Sequence, residues 1–397
     1  MITEVTISNY KSVGQNVRLS LGAITALVGA NGSGKSNLAD VFRFVAESLT
    51  IGLEAAIVRR HGINAVRRWS SGRPNNVSIQ MQLKERTFTG SYAFTLAGSS
   101  VEDYRVKAEE AVIFRSDNNG TDRFRLVEGK WMEGPSDLRP KVTGQSLALT
   151  LMAGDERFAP LASALKNVCV YSVFPDTLRE PQKPDTVKPM KQHGENWATT
   201  LQELGSNGGA SDLKAALAKL TGDVRDFRVR QIGGYLNVEF LHETPRRRAK
   251  DRQKWFECAQ ESDVTLRVAG IVTALVQTPP LTLIGIEEPE LTVHVGAIPL
   301  LFDYLKQASQ REQVLLTTHS IELLELLDVD DLRVVERREG VTVVAAVRQD
   351  QRDAVKRRLM TVGEIIGMEG GLQPELPLAG NKSETGNCIA KRAEQPS

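Results

Sequence analysis

Gly29-Ala30-Asn31-Gly32-Ser33-Gly34-Lys35-Ser36 follows the pattern of a glycine, four free positions and then Gly-Lys-Ser. Ahead of it, Ala26-Leu27-Val28 closes an apolar run that reads as a buried strand. Behind it, residues 37–45 (NLADVFRFV) carry apolar residues at helical spacing. A strand, a glycine loop and a helix in that order build a phosphate cradle. The glycines let the backbone turn and aim its N–H groups inward, and the helix N-terminus adds partial positive charge. On this reading Asn31, Gly32, Ser33, Gly34, Lys35, Ser36 and Asn37 line a nucleotide. Lys35 reaches the β- and γ-phosphates, and the Ser36 hydroxyl ligates Mg²⁺. The stretch therefore predicts a nucleoside triphosphate site.

The chemistry such a loop needs is found far downstream. Leu281-Thr282-Leu283-Ile284-Gly285-Ile286-Glu287-Glu288-Pro289-Glu290 is an apolar strand ending in adjacent acids. A strand of this kind delivers carboxylates to the carboxyl edge of a sheet, where α/β folds bind ligands. Glu287 suits the Mg²⁺ shell opposite Ser36, and Glu288 suits a base that orients the attacking water. One strand–helix unit later, Val314-Leu315-Leu316-Thr317-Thr318-His319-Ser320 ends a second buried-type strand in a histidine that could sense the γ-phosphate.

Outward from these anchors, residues 4–8, 17–28, 76–96 and 104–128 alternate like strands, with an Asn118-Asn119-Gly120 turn, and predict a β-rich lobe. Residues 174–194, rich in Pro, Lys and Asp, read as a surface loop. Helices are expected around 196–205 and 211–221, a hairpin from Tyr235–Leu241 to Lys254–Cys258, and an apolar helix over 265–277. From Leu281 the order strand, helix, strand, helix, strand, strand completes an α/β sheet. The expected division is residues 1–100 as the β-rich start of the core, 101–280 as an inserted β and helical lobe, 281–372 as the end of the core, and 373–397 as a disordered tail. Composition narrows the class. A net charge of +1 provides no global field toward DNA or membrane. No apolar run is long enough for a membrane span, and Cys169, Cys258 and Cys388 form no CxxC pair, so a reducing cytoplasm is the simplest compartment.

The combination of GANGSGKS, IEEPE and TTHS, with Ile7-Ser8-Asn9-Tyr10-Lys11-Ser12 near the start, resembles the ABC-type ATPase heads of the RecF/SMC/OLD lineage of AAA-family ATPases. The resemblance implies a two-lobed P-loop head, with ATP and Mg²⁺ as cofactors, and a head-to-tail homodimer formed around two ATP molecules. It also implies a signature loop that contacts the partner's γ-phosphate. Glu261-Ser262-Asp263-Val264-Thr265-Leu266-Arg267 is the candidate, although Val264 stands where the family prefers glycine. Ser262 then either presents its hydroxyl to that phosphate or simply caps its helix.

Two basic clusters could touch phosphate backbones. One is Arg246, Arg247, Arg248, Lys250, Arg252 and Lys254; the other is Arg59, Arg60, Arg67, Arg68 and Arg73 around Trp69. The segment after Ser320 is expected to leave no room for the nuclease domain of overcoming-lysogenization relatives, and no heptad-rich arm is read in the middle of the sequence. Two functions remain open. One is an ATPase whose dimerisation acts on DNA in repair, recombination or genome defence. The other is a nucleotide-gated sensor subunit with a separately encoded effector protein.

Overall fold

The computed structural model describes residues 1–98, 103–116, 120–206, 209–243 and 253–375. Numbered along the chain, its strands begin with β1 (Ile2–Ser8), β2 (Val17–Ser20), β3 (Ile24–Val28), β4 (Val77–Lys84) and β5 (Phe88–Ala97). There follow β6 (Arg105–Arg115), β7 (Thr121–Val127), β8 (Lys130–Glu133), β9 (Val168–Tyr171), β10 (Val224–Ile232), β11 (Tyr235–Glu243) and β12 (Gln253–Glu257). The last four are β13 (Leu283–Glu287), β14 (Gln313–Thr318), β15 (Leu332–Arg338) and β16 (Val341–Ala346).

These strands form three sheets. A seven-stranded antiparallel sheet has the order β2-β1-β4-β5-β6-β7-β8, and a small one has the order β10-β11-β12. The central sheet runs β16-β15-β3-β14-β13-β9 and is parallel except for β16 at its edge. The sequence reading missed β10, whose few apolar residues are interleaved with Arg225, Asp226, Arg228 and Arg230.

Two apolar cores meet at the central sheet. Leu27, Leu283 and Leu315 face a core shared with the antiparallel sheet and the helix Lys35–Thr50. Ala26, Val28, Ile284, Ile286, Val314 and Leu316 face a second core built with the helices Trp197–Ser206, Ala210–Thr221, Asp263–Val276 and Ile298–Ala308. Burial on both faces is why these strands read as continuous apolar runs.

Residues 174–194 depart from the expected surface loop. They contain the short helix Pro175–Arg179 and bury Leu178, Met190 and Gln182. The Gln182 amide donates to the carbonyls of Thr177 (3.2 Å) and Gly194 (2.7 Å), and its oxygen accepts from the Ala198 N–H (2.9 Å). A single glutamine thus satisfies backbone that a buried loop would otherwise leave unpaired. The Asn118-Asn119 turn, the basic residues 246–252 and the tail from 376 lie outside the described residues.

Candidate active site at the carboxyl edge of the central sheet

Parallel pairing brings the three motifs to one edge. Leu27 of β3 pairs with Thr317 of β14, and Thr317 pairs with Glu287 of β13. Val28 pairs with Thr318. The glycine loop, His319 and the acid pair therefore leave three adjacent strands at the same level.

The loop's glycines are required by geometry. Gly32 and Gly34 have φ of +76° and +110°, a region side chains disfavour. A Cβ on Gly34 would also lie 2.1 Å from Thr342 Oγ1, and one on Gly29 would lie 2.1 Å from the Val335 carbonyl oxygen. Thr342 Oγ1 donates to the Ser33 carbonyl (2.8 Å) and meets Ser12 Oγ (2.8 Å), which accepts from Asn37 Nδ2 (2.7 Å). The turn after β1 and the hairpin β15–β16 thus brace the loop from behind.

The loop also fits a bound polyphosphate. The helix Lys35–Thr50 starts without a side-chain cap and without an acid in its first turn, so its first N–H groups and partial positive charge are unspent. The Ser33 hydroxyl is buried without a partner, and a Cβ on Gly32 would meet nothing within 4 Å. Lys35 folds back on the loop, its ammonium donating to the carbonyls of Gly29 (2.7 Å) and Ala30 (3.2 Å). Burial lowers its pKa, opposed by Glu288 and Glu290. Ser36 is exposed. One hydroxyl and one carboxylate are what Mg²⁺ usually takes from a protein when phosphates and waters complete its octahedron.

The acids are held in unequal ways. Glu288 has φ of +46°, left-handed for a non-glycine residue. Its N–H donates to the Thr317 carbonyl (2.9 Å), and its Oε1 lies 3.5 Å from His319 Nδ1. Glu287 Oε2 lies 3.9 Å from Arg43 Nη2, a neighbour not foreseen from the sequence. Glu290 was also unassigned. Its Oε1 accepts from Thr318 Oγ1 (2.6 Å) and the His319 N–H (3.4 Å), while its buried Oε2 has no partner. The Glu-Pro-Glu spacing was the available signal, since it returns a third carboxylate to the same edge.

Ser262 stands apart from these residues. It caps the helix Asp263–Val276, with Oγ accepting from the Thr265 N–H (3.1 Å) and 2.9 Å from Thr265 Oγ1. The residue itself is exposed, on the rim of a cavity of about 530 Å³ shared with Val264, Thr265, His242, Glu261 and His294. His242 bridges Asp223 (2.9 Å) and Glu261 (2.7 Å), and the two carboxylates raise its pKa against the effect of burial.

The Trp69 cluster needs correction. Arg60 is buried and fork-paired to Asp40 (3.0 and 2.8 Å) and Glu47 (2.5 Å), and Asp40 also takes Tyr10 (2.7 Å) and Lys11 (2.6 Å). The cations hold the Asp40 carboxyl well below the usual carboxylate range despite burial. Arg67 is buried too, donating to the Asp103 carbonyl (3.1 Å). Sequence proximity to Trp69 therefore overstated the exposed charge; Trp69 itself is 81% exposed, with Arg73 exposed nearby.

The fold and this edge define a P-loop ATPase of the AAA type. Residues 24–325 match the family described as "AAA domain, putative AbiEii toxin, Type IV TA system", and the chain belongs to that family. Among solved structures, it is similar to an SMC head bound to the C-terminal winged-helix domain of ScpA. Identity there is 16%, covering 89% of this chain and 99% of that one, with a TM-score of 0.53; this likeness concerns fold alone. An SMC head domain from Thermotoga maritima matches more distantly, at 13% identity over 87% of this chain and 99% of that one, with a TM-score of 0.44. None of the curated proteins matches the chain. Among the described residues, no helix is long and apolar enough to cross a membrane.

Proposed function

We propose that the chain is an ATP-gated switch in which Mg²⁺-ATP seats on the Gly29–Ser36 loop and drives two heads together, and that the paired state acts on DNA. The observation that supports the reading is the shared level of Leu27, Thr317 and Glu287, which brings loop, histidine and acids to one edge of the sheet. Lys35 and the loop N–H groups would stabilise phosphate charge, with Asn31, Gly32, Ser33, Gly34, Ser36 and Asn37 shaping the cradle. Ser36 and Glu287 would hold Mg²⁺, which would supply neutralisation of phosphate charge. Glu288 would orient a water and take its proton, while His319, 3.5 Å away, would face the terminal phosphate. Ser262 would complete the partner's site.

A second reading makes the chain the regulatory ATPase of a toxin-type system whose effector is encoded separately. The family's description favours it. So does the loss of Arg60 and Arg67 from the surface able to meet DNA.

Glu288→Gln separates these readings by size measurement. With ATP and Mg²⁺ it should accumulate as a dimer, while the wild type returns to monomer as ATP is consumed. Added DNA should sharpen the dimer on the first reading and leave it unchanged on the second. A Glu288→Gln protein that hydrolyses ATP at the wild-type rate would overturn the role given to this residue.

A further inference from the structure

We infer that Arg267 is a positioning residue that ties the helix starting at Ser262 to the turn carrying Glu288, so that the signature end and the water-orienting carboxylate move together. The inference rests on the site reading proposed above. Arg267 lies in the second turn of the helix Asp263–Val276 and is 5% exposed. Its guanidinium spans three backbone carbonyls: Nη1 donates to Val173 (2.8 Å), and Nη2 donates to Glu288 (2.8 Å) and Glu287 (3.3 Å).

Two features make this more than packing. First, the hydrogen bonds of Arg267 all go to backbone carbonyls, and its Nε is buried without a partner. A cation buried on carbonyls alone is a poor device for stability, because an apolar side chain of similar volume would avoid the desolvation. Burial accordingly pulls its pKa down, against the field of Glu288 and Glu290. Second, the peptide it grips holds Glu288 at φ +46°, a conformation that persists only where surroundings impose it. The Glu288 N–H is fixed from one side by Thr317, and its carbonyl from the other by Arg267. A displacement of the helix N-terminus is thereby passed to the carboxylate that faces His319. The planar fork matters, since a lysine ammonium cannot hold this carbonyl set in one plane.

The test compares Arg267→Met and Arg267→Lys with wild type, measuring thermal midpoint, affinity for a fluorescent ATP analogue, kcat and KM. Both variants should bind nucleotide within about threefold of wild type. Because misplacing a reacting group by about 1 Å can cost on the order of 10²-fold, kcat should fall roughly 10²-fold for Met, with Lys restoring part of it. A folded variant, Met or Lys, with wild-type kcat overturns the inference. So does a parallel loss of affinity, kcat and thermal midpoint in both variants, which would mark Arg267 as scaffold. An inert wild type, or a fully active Glu288→Gln, would instead overturn the site reading beneath it.

Discussion

The two large sheets are built from opposite sequence grammars, and only one of them ends in chemistry. In β4, VSIQMQLK alternates buried and exposed along its whole length, as expected of a strand with one face on a core and one toward water. In β3, β13 and β14, ITALV, LIGIE and QVLLTT are buried almost without interruption. The antiparallel sheet sends successive strands in opposite directions, so its residues at either edge come from both strand starts and strand ends. The parallel sheet sends β3, β14 and β13 out together, and a loop, a histidine and an acid pair follow directly from that shared direction. Direction, more than composition, is what makes one edge a candidate site. The turn that leaves the antiparallel sheet after β1 contributes support from behind, through Ser12 and through Tyr10 and Lys11, which reach Asp40 on the loop helix.

The sharpest way to break this contrast is Lys35→Ala. Removing one preorganised donor from a site of this type costs on the order of 10²–10³-fold in turnover. Nucleotide affinity should fall with it, because the same ammonium serves the ground state. The thermal midpoint without nucleotide should stay near wild type, since among the described residues the Lys35 ammonium hydrogen-bonds to the Gly29 and Ala30 carbonyls of its own loop. Titration with an ATP analogue and steady-state hydrolysis check both halves. Unchanged affinity would mean that the parallel edge does not bind a triphosphate.

How much of this was legible differs by region for physical reasons. The loop, the acid strand and His319 could be read because each couples a local pattern to one strand end. The braces behind them could not. Thr342 reaches the Ser33 carbonyl, and Glu290 reaches Thr318, through contacts set by sheet order rather than by neighbouring residues. Arg60 and Arg67 were misread for the same reason. As sequence neighbours of Trp69 they look like surface charge, but Asp40, twenty residues before Arg60, draws it inward. Gln182 was hidden inside a proline-rich stretch whose composition says loop, and its three hydrogen bonds are what permit that loop to be buried.

The antiparallel sheet has its own titratable group, and it sharpens the contrast through stability rather than activity. Glu109 of β6 accepts from Tyr92 Oη (2.9 Å) and from the N–H groups of Ala148 (2.5 Å) and Leu149 (2.9 Å), yet burial pushes its carboxyl up to about 7. The folded state thus holds this proton more tightly than the unfolded chain. Its contribution is fully present below the unfolded value of 4.5 and is lost as pH rises through about 7. The change across that window is on the order of 3 kcal/mol. Glu312, beside the central sheet, is likewise raised to about 7 by burial, and His242 is raised by its two carboxylates, so Glu109→Gln should remove only part of the summed slope. Denaturant midpoints at pH 5, 6, 7 and 8 for the two proteins measure it. Parallel curves would show that Glu109 does not carry the slope, while ATP affinity should be the same in both.

The smallest expected effect bears on the element that belongs to neither sheet. Ser262 caps its helix in this structure, and a cap alone would explain its identity. Ser262→Ala removes the acceptor for the Thr265 N–H and should cost about 1 kcal/mol of stability, whereas Ser262→Asp keeps an acceptor there and should stay close to wild type. The two roles then part. If the hydroxyl faces the phosphate of a second head, the carboxylate of Ser262→Asp meets like charge, and ATP-driven pairing should fail in a protein that is as stable as wild type. If Ser262 is only a cap, Ser262→Asp should pair and hydrolyse normally, and Ser262→Ala should suffer in stability alone. Sizing with ATP and Mg²⁺ beside thermal unfolding distinguishes them. Normal pairing by Ser262→Asp would confine function to the strand ends of the parallel sheet and remove the helix Asp263–Val276 from the partner's site.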